Sequence, residues 1–280
     1  MRADDGWRLR IEHLTTFVYS TPARASYNEV RQTPLTTSRQ TTLEASIRTS
    51  PHALQNSYWD YWGTQVVYFN VDAPHDELTI RGRALVETQV PEDSPTSAWV
   101  EVESETDRLS EFLAASRYTE AGPHLREVAA GLRGSAPEDT VRAVAGWVHD
   151  SLDYVSGVTS VHTSAAEAYE AGRGVCQDFA HLAIAVLRST GIPTRYVSGY
   201  LHPDPEARIG QVATGESHAW IEAWLGRWWG LDPTNATEIG VRHVAVARGR
   251  DYADVAPVKG VFAGRAHHDT EVSVSIARVA

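Results

Sequence analysis

The 280-residue chain is expected to be an α+β protein in which an antiparallel β-sandwich-like first part precedes a second part with helices packed on an antiparallel sheet. Three observations predict this. The first hundred residues alternate apolar and polar positions with period two. Residues 123–190 carry apolar residues at helical spacing, and after Gly191 the pattern returns to strands in TRYVSGYL and SHAWIEAWL. A 42% hydrophobic content is enough for a sizeable core, and the length suits two domains, divided near residue 108 into 1–108 and 109–280.

In the first part, WRLRIEH alternates Trp7, Leu9 and Ile11 with charged residues, and LEASIRT, QVVYFNVDA, ELTIRG and ALVETQV continue with β-branched residues. Turn formers separate them, as in a sandwich of short strands. The aromatic cluster Tyr58, Trp59, Tyr61 and Trp62 is assigned to a domain interface. Residues 91–120 hold eight acidic against two basic residues, a net of −6 within the chain's −11, and read as a solvated connector. Within it, WVEVES reads as one more short strand.

Helices follow. PHLREVAAGLRG is one, and PEDTVRAVAGWVHDSL is a second with Val141, Val144, Ala145, Val148 and Leu152 on one face. TSAAEAYEAG is a third, ended by Gly172 or Gly174, glycines suited to a left-handed or close-packed backbone. The next helix begins at Cys176, buries a stripe of Phe179, Leu182, Ala183, Val186 and Leu187, and stops at Gly191 and Pro193.

Cys176 is the only cysteine, so no internal disulfide forms and the thiol is free for chemistry. Unpaired N–H groups and the macrodipole at a helix N-terminus favour a thiolate, the reactive form of cysteine. Downstream lie His218 in SHAWIEAWL and Asp232 in WWGLDPTNAT, the imidazole and carboxylate that would complete a Cys-His-Asp acyl-transfer site.

Alternation along SHAWIEAWL puts His218, Trp220, Glu222 and Trp224 on one face. A two-residue turn at Gly226-Arg227 would set Asp232 opposite Ile221, on the wrong face for His218. A triad therefore demands a three-residue loop at 225–227 or a bulge, which sets Asp232 opposite Trp220 and one diagonal step from His218. Trp220, Trp224, Trp228 and Trp229 would pack around this hairpin, Trp220 also being a substrate-contact candidate.

The blocks GVCQDFAHLAIAVLRSTGIPTRYVSGYL, SHAWIEAWL, LDPTN and GRDYADVAPVKGVFAG resemble the bacterial transglutaminase-like cysteine enzymes, a papain-like superfamily, over residues 109–280. EHLTTFVYSTPARASYNEVRQTPL resembles the opening of the β-rich N-terminal domain that accompanies that family. The resemblance implies Cys176 as nucleophile, His218 as general base and Asp232 as orienting carboxylate. Where the family often has Gly-Asn, this chain has Gly63-Thr64, so no role is carried over to that asparagine.

The implied reaction is acyl transfer from a peptide or carboxamide through a thioester at Cys176, with hydrolysis favoured because no amine-binding motif is visible. The alternatives are transamidation to an amine and, in another class, a silent peptide-binding scaffold. The Cys176 N–H is one oxyanion donor, with Tyr154 and His162 as candidates for the second and Gln177 expected to point elsewhere. GRDYADVAPVKGVFAG reads as a long shaped loop whose Arg250, Asp251 and Tyr252 are specificity candidates if it lines the cleft.

Net charge −11 argues against nucleic acid as partner. MRADDGWRLRIEHLTTFVYS has no apolar run of signal-peptide kind and no stretch reaches the ~20 apolar residues of a membrane span, so a cytoplasmic protein is expected; the oligomeric state is not legible. No cofactor or metal is expected: no acidic calcium loop is present, and Cys176 and His181 point about 140° apart on a helix, unable to share zinc with His202 or His218. His181 is instead a packed or hydrogen-bonded helix residue, and His267 and His268 carry little signal.

Overall fold

The computed structural model describes residues 6–215, 217–264 and 267–280. Six strands come first: β1 (Gly6–Ala23), β2 (Ala25–Val30), β3 (Gln40–Ser50), β4 (Gln55–Trp59), β5 (Gln65–Val71) and β6 (His75–Gln89). The helical stretch contains α1 (Trp99–Glu103), α2 (Pro123–Leu132), α3 (Pro137–Ser151), a two-residue β7 (Asp153–Tyr154), α4 (Ala165–Ala171), β8 (Arg173–Gly174) and α5 (Cys176–Ser189). Then come β9 (Thr194–Leu201), β10 (Val212–Gly215), β11 (His218–Trp224), β12 (Trp228–Asp232), β13 (Thr237–Glu238), β14 (His243–Gly249), α6 (Tyr252–Val255), β15 (Val258–Ala263) and β16 (His268–Arg278). The α+β class and antiparallel sheets are those expected from the sequence.

The N-terminal region is two sheets, ordered β10-β16-β1-β6-β3 and β15-β2-β5-β4, with Tyr19, Val30, Phe69, Leu78 and Ile80 buried together in one cluster. A separate five-stranded sheet, β13-β12-β11-β9-β14, carries the helices. The two units share a core in which Leu9, Ile11 and Val86 meet Tyr200, Val244 and Val246.

Chain order misplaces the C-terminus. β16 pairs with β1 from Leu9↔Arg278 to Tyr19↔His268, and β15 pairs with β2 from Val258↔Val30 to Ala263↔Ala25. Strands β15 and β16 therefore complete the sheets of the first unit, so a division of the fold at residue 108 alone cannot hold. The return satisfies backbone groups that long β1 would otherwise leave open along one edge.

Three local expectations are corrected. WVEVES forms α1, not a strand, because Glu101 accepts from the Ala98 N–H at 3.0 Å, Val102 is buried in the helical core, and the Trp99 ring lies 3.4 Å beneath the Arg133 guanidinium. GRDYADVAPVKGVFAG is not a long loop but α6 followed by β15. The aromatic cluster divides: Trp62 packs against Phe112 and Arg250 and Tyr61 bonds Glu111, as an interface requires, but Tyr58 and Trp59 on β4 are exposed. Gly63, with φ +75°, and Thr64 belong to the turn from β4 to β5, where the Thr64 N–H is held by Asp60 Oδ1.

α5 is buried from Gln177 to Arg188 on all sides, not along one stripe. It packs on β9 and β11 on one side and against α2, α3 and α4 on the others, so it is the centre of the unit.

Candidate active site

Cys176 occupies the first turn of α5. The approach is built by two glycines: Gly172 ends α4 in the left-handed region at φ +64°, and a Cβ on Gly174 would meet the Asp178 Cβ at 2.6 Å. That close approach lets the Asp178 carboxylate cap the helix, Oδ2 accepting from the Val175 N–H at 2.8 Å and the Thr159 hydroxyl at 2.7 Å. Burial raises the Asp178 pKa and those two hydrogen bonds oppose the rise. The result is a rigid mount for a half-buried thiol.

His218 and Asp232 come from the hairpin β11–β12. Its register pairs Trp224 with Trp228 and Ile221 with Leu231, closed by the three-residue loop 225–227 in which the Leu225 N–H donates to Arg227 O and Gly226 takes φ +76°. This is the register a triad demands, and it rules out the two-residue turn. Asp232 thereby shares a face with His218, and its Oδ2 lies 2.6 Å from His218 Nε2.

The Asp232 carboxylate is fully buried and densely held. Oδ1 accepts from the N–H groups of Thr234 and Asn235, and Oδ2 accepts from Asn235 Nδ2 at 2.7 Å besides the histidine. Burial works against its charge, yet hydrogen bonds from His218 and His243 and the electrostatic pull of those imidazoles hold its pKa well below the usual carboxylate range. For His218, burial disfavours the cation, but the bonds to Asp232 and Cys176 and their negative charges outweigh it and push the pKa up to about 10. With Nε2 committed to Asp232, Nδ1 is the nitrogen left for the thiol.

A second histidine joins the carboxylate. His243 Nε2 lies 3.4 Å from Asp232 Oδ2, and its Nδ1 accepts the Gly240 N–H at 3.1 Å. An Nδ1 that accepts must leave the proton on Nε2, so neutral His243 donates to Asp232, and burial lowers its pKa. The ligand atoms of His218, Asp232 and His243 lie within 4.8 Å of one another, close enough for a cation. The donated protons that fill the space between them oppose that use.

The remaining candidates separate. Trp220 is buried to 1% exposure, edge-on to His243 at 5.3 Å, so it backs the imidazoles and is out of reach of a substrate. Arg250 forms an ion pair with Asp254 and its carbonyl accepts from Arg188, while Asp251 Oδ1 caps α6 through the Ala253 N–H. The Tyr252 N–H donates to His181 Nε2 at 3.2 Å. These contacts anchor α6.

His181 is fully buried and stacked on Tyr118 at 4.9 Å, as expected; burial and then the Arg188 charge lower its pKa to about 3. Tyr154 pairs with Gly174 just before the Cys176 helix, at 52% exposure. His162 faces Arg117 at 2.9 Å, and Gln177 Nε2 is directed to Val161 O. Asn235 and His243 were missed from sequence. Asn235 had a signal in its place within DPTN, three residues after Asp232; His243 had none, because only the sheet order brings β14 near.

Residues 126–233 match the transglutaminase-like superfamily, and residues 9–87 match the bacterial transglutaminase-like N-terminal region. An uncharacterized protein of Mycobacterium leprae is 46% identical over 98% of this chain and 100% of its own length. One from Mycobacterium tuberculosis is 33% identical over 96% of this chain and 92% of its own. Among solved structures, a Cytophaga hutchinsonii protein designated "Putative Cysteine Protease" is 25% identical with a TM-score of 0.80, covering 98% of this chain and 91% of its own. No helix among the described residues is long and apolar enough to cross a membrane.

Proposed function

The chain belongs to the transglutaminase-like superfamily, and on that footing we propose that it is a cysteine hydrolase that cleaves a peptide or carboxamide through a thioester at Cys176, with His218 and Asp232 completing a catalytic triad. Family membership and the cysteine-protease neighbour support cysteine-dependent acyl transfer. The observation that carries the finer reading is the contact of His218 Nε2 with buried Asp232 at 2.6 Å, on a ring whose pKa is also raised by Cys176.

The chemistry follows from that pair. The Cys176 thiolate adds to the substrate carbonyl, and the Cys176 N–H at the start of α5 is positioned to receive the developing oxyanion. Part of what holds the proton on His218 is the thiolate's own charge. Once sulfur bonds to carbon that charge is gone, the imidazolium becomes a stronger acid, and its proton passes to the leaving amine. Neutral His218 then takes a proton from water, whose oxygen attacks the thioester; the acyl group leaves as a carboxylic acid, and the Cys176 thiolate is restored beside protonated His218. A single cysteine suits a reducing compartment such as the cytoplasm.

Intact-mass spectrometry tests this. An activated ester should leave its acyl mass on the wild-type chain and not on Cys176→Ala, and the adduct should decay in water; transfer to added glycine ethyl ester in preference to water would convert the reading to transamidation. At neutral pH iodoacetamide should modify Cys176 faster in the wild type than in His218→Ala. A rate like that of free cysteine, unchanged in the variant, would overturn the ion pair and favour a silent scaffold.

A further inference from the structure

Where loop 37–40 and the end of β6 face the site-bearing sheet there is a cavity of about 490 Å³, the size of a small-molecule site. Neither Cys176 nor His218 lines it, so it is not the acyl-transfer cleft. Its wall includes Arg39, Arg195, Arg227 and Arg248 against the carboxylates Glu92 and Glu222, an excess of positive charge inside a chain of net −11.

The pairing is uneven. Glu222 is shared by Arg195 and Arg248, and Glu92 is taken by Arg227. The Arg39 guanidinium has no acceptor among the described residues, although burial and the charges of Arg248 and Arg227 depress its pKa against the pull of Glu222. Arg248 Nε and Trp224 Nε1 are buried donors without an acceptor among the described residues. Unpaired donors and like charges in one partly enclosed space are costly, and an acceptor carrying negative charge removes both costs.

We infer that this cavity is a binding site for a small oxyanion ligand, a carboxylate or a phosphate, held by Arg39 and Arg248 with Trp224 Nε1 as a neutral donor. Arginine suits either oxyanion through its planar fork. The site stands independently of the acyl-transfer reading, since binding needs no turnover.

The test uses the full chain at constant ionic strength. Inorganic phosphate and citrate are the two arms and chloride is the control, read by isothermal titration calorimetry and by melting temperature. Saturable binding of one arm above chloride, with a rise in melting temperature, is expected. Arg39→Gln should weaken it about tenfold or more with no change in the unliganded melting temperature. Trp224→Phe, which removes the indole N–H together with part of the ring, should weaken it several-fold, and Arg48→Gln, outside the cavity wall, should leave it unchanged. Failure of both arms to saturate above chloride, or wild-type binding by both Arg39→Gln and Trp224→Phe, would overturn the site.

Discussion

Two polar clusters share one face of one sheet, four residues apart along β11, and differ in what their burial allows. Glu222 lies between Arg195 and Arg248, with Arg195 directly across the strand pair. Burial opposes its charge, but the two guanidinium groups outweigh that and hold its pKa near about 2. Both partners are permanent cations, so nothing in that cluster can move a proton near neutral pH. His218 leans on Asp232 in the same way, yet its other neighbour is a thiol whose charge appears and disappears with chemistry. A buried carboxylate anchors both clusters; permanent cations make one a clamp, and a thiol beside the imidazole suits the other to the acid–base role proposed for it.

The comparison breaks most readily at the carboxylates. Asp232→Asn keeps the shape but loses the charge that stabilises the imidazolium, so turnover should fall by about 10²–10⁴, measured as steady-state hydrolysis of an activated substrate, with the fold intact by circular dichroism. Glu222→Ala should do the reverse. It leaves two part-buried cations without their buried carboxylate and should cost about 3–5 kcal/mol in urea unfolding, while the pH profile of Cys176 alkylation stays that of wild type. Loss of stability in Asp232→Asn with no loss of rate would erase the distinction.

The two clusters should also fail at opposite ends of the pH scale. His218 has its folded pKa raised from 6.5 to about 10, so its contribution is complete below 6.5 and is lost as pH rises through about 10. Glu222 is depressed from 4.5 to about 2, so its contribution is complete above 4.5 and is lost as pH falls toward 2. Urea midpoints across pH should decline on both sides, the alkaline decline vanishing in His218→Ala and the acid decline shrinking in Glu222→Gln. A wild-type alkaline decline retained in His218→Ala would assign it to other groups.

The smallest effect should come from His243. Its long contact with Asp232 at 3.4 Å is worth about 1.4 kcal/mol or less, so His243→Phe should slow turnover by about tenfold at most and displace the alkylation profile slightly. An effect as large as that of Asp232→Asn would make His243 a full partner in proton transfer.

Much of the site was legible because it is local. The glycines before Cys176, the apolar repeat that makes α5, and the sole cysteine at its first turn all lie within one stretch of chain. Given a triad, alternation along β11 demanded a three-residue loop at 225–227 or a bulge, since side-chain direction in a strand has no freedom once one residue is set, and the structure has the loop. Periodicity misled at WVEVES, where a five-residue helix is too short to display its period and is decided by Trp99 packing under Arg133.

From the amino-acid sequence alone came the α+β class, the mount for Cys176 and the pairing of His218 with Asp232, all of which depend on neighbours within one helix or one hairpin. Only the tertiary structure brought β15 and β16 back to the first unit, set His243 against Asp232, turned Arg250, Asp251 and Tyr252 into anchors of α6, and enclosed Arg39 with Arg248. These depend on which strands pair across more than two hundred residues in β1 and β16, and that choice is made by the whole buried surface; no local pattern carries it.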